Sequence, residues 1–134
     1  MKTKLWLLVL AAGFAGCVTP FRAPGDVAHI KLDRVDSPLV RVEKIWLERK
    51  HGPLVVTGYV LRRLETEDTS GTHLDVTLFD VGGRVLRSTV EHFEPRQIPR
   101  RYRRPDDAAY RVVLDPLPPG TARIEVRAHE GNHS

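Results

Sequence analysis

The sequence is nearly free of cysteine and methionine and lacks the short motifs that accompany most enzyme chemistry. One of its 134 residues is cysteine, so no intrachain disulfide can hold the fold together. It contains no G-x-S-x-G, H-E-x-x-H or Walker A pattern, and no cysteine is left over for nucleophilic work. Outside the N-terminal segment, no stretch has a convincing helical period. We therefore expect a protein that is not an enzyme, has no cofactor and contains little helix.

What is present is enough apolar surface for one ordinary core. Hydrophobic residues make up 41% and charged residues 28% of the chain, as in globular rather than disordered proteins. The net charge is +4, and about half of it comes from Lys2 and Lys4 at the N-terminus. The remaining charge is too small to predict a polyanionic partner.

Residues 1–16 have the parts of a secretory signal. A positively charged segment at residues 1–4, with Lys2 and Lys4, precedes an apolar run at 5–14, which is shorter than the roughly 20 residues that span a bilayer. The small residues Ala15 and Gly16 then lead directly to Cys17. We interpret residues 1–16 as a signal peptide that is removed; an ordinary signal followed by a coincidental cysteine is the alternative.

The tetrapeptide at 14–17 resembles the lipobox of bacterial lipoproteins, with Phe14 where leucine is commonest. The resemblance implies cleavage before Cys17 and a diacylglycerol thioether on its sulfur. Two or three acyl chains would anchor the protein stably. By resemblance to the sorting pattern of enterobacterial lipoproteins, valine rather than aspartate at position 18 favours the outer membrane over the inner one, and we expect the protein on its periplasmic face. Nucleic acid is not a sensible partner for such an exported protein.

The mature chain is predicted to consist of a lipidated tether at residues 17–37 and a domain at 38–134. The tether contains prolines and a glycine, and a flexible chain of this length reaches roughly 25 Å. Ile30, Leu32 and Val35 are apolar enough to dock on the domain, in which case the tether ends earlier.

The domain has short alternating segments separated by turn residues, which predicts strands. The clearest is residues 73–80, with Leu74, Val76 and Leu78 on one face and His73, Asp75 and Thr77 on the other. A hairpin turn is predicted at 80–83. The predicted strands are 40–47, 54–64, 73–80, 84–93, 109–114 and 122–129.

Their number and spacing fit an all-β, antiparallel β-sandwich of about six or seven strands. The strand pattern resembles small immunoglobulin-like or transthyretin-like modules of cell-envelope proteins. Trp46 and Tyr59, on the first two predicted strands, are expected to pack the sandwich or cover an edge, with ligand stacking as the alternative.

Five arginines within nine residues form the densest charge feature. The segment, bracketed by Pro95 and Pro105, carries Arg96, Arg100, Arg101, Arg103 and Arg104. Guanidinium groups bind phosphate and carboxylate bidentately, so these residues are a candidate anion-binding site for envelope components. The alternatives are an edge strand whose charges oppose aggregation, and a solvated loop neutralised by Asp106, Asp107 and Glu94.

The chain also contains six histidines, and because histidine is a common metal ligand they suggest a metal site as a hypothesis. The candidate ligands are His73, His92 and His129. Alternation places His73 and His129 on outward faces, and they would form a surface pair if their strands were close. The alternative is that each is simply a polar surface residue.

The function expected from these features is that of a lipid-anchored accessory protein of the cell envelope, acting by protein–protein interaction. The alternative is a periplasmic lipoprotein that binds a metal or a small anion. A poorly covered apolar sheet edge would favour the first, and convergence of His73, His92 and His129 would favour the second.

We expect Cys17→Ser to block lipid attachment and to leave the protein as an unprocessed precursor, because the sulfur is the predicted acceptor. Metabolic labelling with a radioactive or clickable fatty acid measures this directly. Equal labelling of the wild type and the variant would contradict the lipoprotein interpretation.

Overall fold

The computed structural model is an all-β sandwich of seven strands in two sheets. It describes residues 23–49, 51–64, 68–99 and 107–131. The strands are β1 (Lys31–Val35), β2 (Val40–Arg49), β3 (Leu54–Arg62), β4 (Thr72–Phe79), β5 (Val85–Glu91), β6 (Asp107–Val113) and β7 (Arg123–Glu130). One sheet has the order β1-β7-β4-β5 and the other the order β2-β3-β6. All neighbouring strands are antiparallel except β1 and β7, which are parallel.

The β-sandwich predicted from the alternating segments is confirmed. Each of β2 to β7 corresponds to a predicted strand, with ends that agree within two residues. The sheets group the strands differently from a constant-type immunoglobulin domain, where the first, second, fifth and fourth strands share a sheet. Among the described residues, no helix is long and apolar enough to cross a membrane.

The sandwich begins before the predicted boundary at residue 38. β1 lies inside the predicted tether and pairs with β7, with Leu32 opposite Ile124. Val27 and Ile30 are buried in the core, and Leu32 packs against it. This segment therefore docks on the domain, which is the alternative that the sequence left open. Cys17 and residues 1–16 lie outside the described residues.

The core lies between the two sheets and follows from strand alternation. Side chains on one face of β4 and β7 point inward, and their apolar burial drives the two sheets together. The inward residues of these two strands are all buried: Leu74, Val76, Leu78, Ile124, Val126 and Ala128. β2, β3 and β6 supply the opposing layer, which includes Val42, Val56, Val60 and Val112.

A close approach of three strands fixes the second sheet. The β2–β3 register shifts between Val42 and Lys44, and the Lys44 carbonyl lies over Gly58 of β3. Tyr110 of β6 is the cross-strand partner of Gly58, and its hydroxyl donates a hydrogen bond of 2.8 Å to that carbonyl. Burial raises the pKa of Tyr110 well above its usual range, so the phenol stays a donor. Glycine is required at position 58 because any side chain would occupy this space.

We expect Gly58→Ala to destabilise the domain by about 3 kcal/mol, the upper end of the usual overpacking cost. A Cβ at this position would lie 1.9 Å from the Lys44 carbonyl oxygen and 2.4 Å from the Tyr110 hydroxyl, and the first of these is backbone that cannot simply move aside. Tyr110→Phe should cost about 1–2 kcal/mol, because it leaves the carbonyl without this donor. Denaturant unfolding measures both changes.

Gly52→Ala is the matched control, because a Cβ there meets no atom within 4 Å. It should leave the unfolding midpoint nearly unchanged. A Gly58→Ala protein as stable as the Gly52→Ala protein would show that the three strands are less closely held than described.

Candidate functional site

The candidate site lies on the outer face of the four-stranded sheet, where the central strands β4 and β7 pair. Directly opposite residues in an antiparallel pair share a face. The register places His73 opposite His129 and Asp75 opposite Arg127. Since Leu74 and its alternate neighbours point into the core, these four side chains point outward.

The two imidazole rings are in contact. His129 Nδ1 lies 3.2 Å from His73 Nε2, so one ring donates a hydrogen bond to the other, and the direction depends on the tautomer. The ring centroids are 5.1 Å apart and the planes meet at 60°, an edge-on arrangement. The predicted pairing of His73 and His129 is thus present in the structure.

Asp75 completes a group of three metal-ligating side chains. Its Oδ1 lies 3.5 Å from His73 Nε2. One ligand atom from each of His73, Asp75 and His129 lies within 4.8 Å of the other two. We call these three residues the His–Asp cluster. The sequence prediction missed Asp75 as a ligand, although its position two residues after His73 already placed both on one face.

Burial differs across the His–Asp cluster. His73 is 6% exposed, the Asp75 side chain is 18% exposed, and His129 is exposed. We expected His73 to be a surface residue because it points away from the core. Its burial shows that neighbouring side chains cover it, which costs free energy unless its polar atoms have partners. Its Nε2 is within reach of both His129 and Asp75.

His92 does not join this group. It follows the end of β5 at Glu91 and is exposed, and its ring nitrogens are not among the clustered ligand atoms. Of the three histidines proposed from the sequence, the structure therefore brings together His73 and His129 and leaves His92 apart.

The arginine segment is described only at its start. Arg96 is exposed and donates a hydrogen bond of 3.2 Å to the carbonyl of Ser70, which fastens the segment to the loop before β4. Arg100, Arg101, Arg103 and Arg104 lie outside the described residues, so the anion-binding hypothesis stays a prediction.

Oppositely charged side chains continue the outer face beside the His–Asp cluster. Glu125 accepts from Arg127 at 3.1 Å and lies 3.5 Å from Arg123. Arg123 also contacts Asp33 at 3.3 Å and covers the Phe79 ring, with its guanidinium carbon 3.9 Å from the ring centroid. Arg127, opposite Asp75, and Arg123, farther along β7, therefore have carboxylate partners of their own. Their positive charge is partly neutralised before any cation approaches.

Polar contacts at the strand ends hold the cluster's strands in place. Glu130, next to His129, accepts hydrogen bonds from the Ser37 hydroxyl and from the backbone N–H of Leu39. The Thr69 hydroxyl, just before β4, donates to the Arg96 carbonyl and accepts from the Ile98 N–H, both at 2.9 Å. These contacts tie the ends of β7 and β4 to loops from elsewhere in the chain.

A second surface is the outer face of the other sheet, which we call the aromatic face. It carries Trp46 and Tyr59, whose ring centroids are 5.6 Å apart. Tyr59 is 40% and Val113 45% exposed, whereas Val55 on the same face is 1% exposed. The expected packing role of the aromatics is therefore only partly met, because Tyr59 remains accessible.

No known protein-family model matches the chain, and neither the curated proteins nor the solved structures contain a significant match. Function must therefore be argued from the site itself. The His–Asp cluster offers two imidazole nitrogens and a carboxylate oxygen, a donor set that suits first-row transition metals. Mg²⁺ and Ca²⁺ prefer all-oxygen sites.

Proposed function

We propose that this protein is a lipid-anchored accessory protein of the bacterial cell envelope that binds a divalent transition metal at the His–Asp cluster. The observation that carries the proposal is the cross-strand contact of His73 and His129, with Asp75 beside it. The lipobox resemblance at residues 14–17 supports the anchor and the envelope location.

The placement of the donors favours metal binding over a chance pair of surface histidines. All three donors belong to the two central strands of one sheet, whose register is fixed by buried core residues. Side chains on paired strands are held more precisely than side chains on loops, so less ordering is needed when a metal arrives. The burial of His73 adds to this, because a buried ring has few alternative rotamers.

We expect the delipidated, untagged protein to bind one Zn²⁺ per chain, because one ligand atom from each residue of the cluster lies within 4.8 Å of the other two, and small side-chain movements can bring all three to one ion. Competition against a chromophoric zinc chelator measures the affinity. His73→Ala and His129→Ala should each weaken binding by at least about tenfold, as loss of even an outer-shell group does. Saturating zinc should also raise the thermal stability of the wild type, by mass action.

His92→Ala is the matched control, since it removes an exposed histidine outside the cluster. It should bind zinc with wild-type affinity. A His73→Ala/His129→Ala double variant that folds and still binds with wild-type affinity would refute the proposed site.

A second candidate function is docking on another envelope protein through the aromatic face. The observation that favours it is the exposure of Tyr59 and Val113 on the same sheet face as Trp46. Aromatic residues are enriched at protein interfaces and often anchor them. This surface and the His–Asp cluster lie on different sheets, so the two functions do not compete for the same residues.

We expect a photo-crosslinking amino acid at position 59 to give a discrete crosslinked product in intact cells, because an interface anchor there lies within reach of the partner. The same amino acid at Ser88, exposed on the outer face of the other sheet, should give none. Gel mobility and mass spectrometry identify the product. Equal crosslinking from both positions, or none from position 59, would speak against docking through this face.

A further inference from the structure

The N-terminal segment joins the sandwich at one end, which we call the anchor end. Ala23 packs against the core, and Asp26 forms an ion pair of 2.9 Å with Arg49, the last residue of β2. The Lys31 N–H at the start of β1 donates a hydrogen bond of 3.0 Å to the carbonyl of Ala122, just before β7. The anchor end is formed by the segment 23–30 and the loops 51–53, 80–84 and 114–122.

A lipid on Cys17 would hold the anchor end close to the bilayer. Ala23 comes six residues after Cys17, and a fully extended chain of that length spans at most about 22 Å. β4 has eight residues and is therefore about 24 Å long. The tether is thus no longer than the sandwich is tall. The anchor end stays near the lipid, and the opposite end can lie beyond its reach.

The hairpin between β4 and β5 presents an apolar side chain at its tip. Val81 is 95% exposed, the highest value among the large apolar side chains of the described residues. The polar groups of the turn below it bond to one another, because Asp80 Oδ1 accepts from the Gly82 and Arg84 amides. Val85, at the start of β5, is also exposed. The tip can therefore meet an apolar surface without uncovering these turn groups.

The turn at 116–120 lies beside this hairpin and has few backbone donors. Three of its five residues are prolines, which lack an N–H group. The Pro116 carbonyl accepts from Arg87 of β5 at 3.1 Å, and the Pro118 carbonyl accepts from the Thr121 hydroxyl at 2.7 Å. Polar backbone groups that lose water without finding a partner oppose contact with lipid. This turn exposes few of them, so it suits a lipid surface.

The opposite end of the sandwich is more polar. Leu64 is exposed there, but it follows the exposed Arg63. The His–Asp cluster lies toward this end, since His73 is the second residue of β4 and His129 the last but one of β7. Further exposed residues of this end are Asp68, Glu94, Arg96 and Gln97. The two ends therefore differ in the way that a membrane-facing and a solvent-facing end would.

Resting on the lipid anchor proposed above, we infer that the anchor end is a membrane contact surface, at which Val81 and the turn at 116–120 lie against the headgroup region of the bilayer. The acyl chains on Cys17 supply the affinity. The contact sets the orientation, because a short tether keeps the local lipid concentration so high that even a weak contact is occupied. The domain then stands upright, with the His–Asp cluster turned away from the lipid.

Two exposed valines at different heights provide a matched test. Val90 is 46% exposed and lies five residues beyond Val85, about 17 Å along β5. Val81→Cys and Val90→Cys each introduce one reactive thiol, because the native cysteine carries the lipid. Each lipidated variant is labelled with an environment-sensitive fluorophore and placed in vesicles of phosphatidylethanolamine and phosphatidylglycerol that contain brominated lipid. We expect a blue-shifted, quenched emission from position 81 and a water-like, unquenched emission from position 90.

The outcomes separate this inference from the anchor on which it rests. Absence of fatty acid from the same preparation would refute the anchor and this inference with it. Lipidated protein in which both probes or neither are quenched would overturn the orientation alone. A blue shift at position 81 without quenching would indicate contact with a second copy and overturn the assignment to lipid.

A charge at the tip tests Val81 itself. In protein labelled at Val85→Cys, the further change Val81→Asp should reduce the quenching, because a carboxylate is costly to bring to the lipid surface. Val90→Asp is the matched control and should leave the quenching unchanged. Val81 is almost fully exposed, so its replacement is not expected to affect folding. Equal quenching in the two variants would remove Val81 from the contact.

Discussion

The antiparallel register between β4 and β7 is the constraint on which both the core and the candidate site depend. On the inner face it pairs Leu74 with Ala128 and Val76 with Val126, all buried. On the outer face the same register brings His73 opposite His129. A slip of one residue would turn the apolar set to solvent, so burial of the core holds the register. The two imidazoles therefore meet because of hydrophobic packing on the opposite side of the sheet.

Flanking elements add to this constraint. β1 pairs with the edge of β7 that faces away from β4, and because this pairing is parallel the two strands cannot be joined by a hairpin. Glu130 joins the end of β7 to the turn between β1 and β2 through Ser37 and Leu39. The second sheet is held separately, by the contact of Tyr110 with the Lys44 carbonyl above Gly58. Polar contacts therefore fix details of a sandwich whose assembly is driven by apolar burial.

The sequence predicts the strands well because alternation and turn chemistry are local. The hairpin after β4 is an example: Asp80 Oδ1 accepts from the Gly82 and Arg84 amides, and Gly83 has the positive φ of 83° that favours glycine. β1 was missed because its burial comes from a parallel partner about 90 residues away, which no local pattern reveals. Of the site, the outward direction of His73 and His129 was predictable. Their contact, the burial of His73 and the ligand role proposed for Asp75 depend on strand order, and strand order is a tertiary property.

Charge on the outer face bears on whether a cation can be held there. A divalent ion at the cluster would be repelled by a nearby guanidinium group that had no carboxylate partner, because the repulsion is screened little over a few ångströms. Arg127 and Arg123 instead contact Glu125, and Arg123 also contacts Asp33. These ion pairs are partly exposed and contribute little to stability by themselves. Their consequence is local. They lower the positive potential on this part of the face, so that less of the negative charge of Asp75 is cancelled by the arginines. The paired carboxylates thus leave this face less positive than its arginines alone would make it.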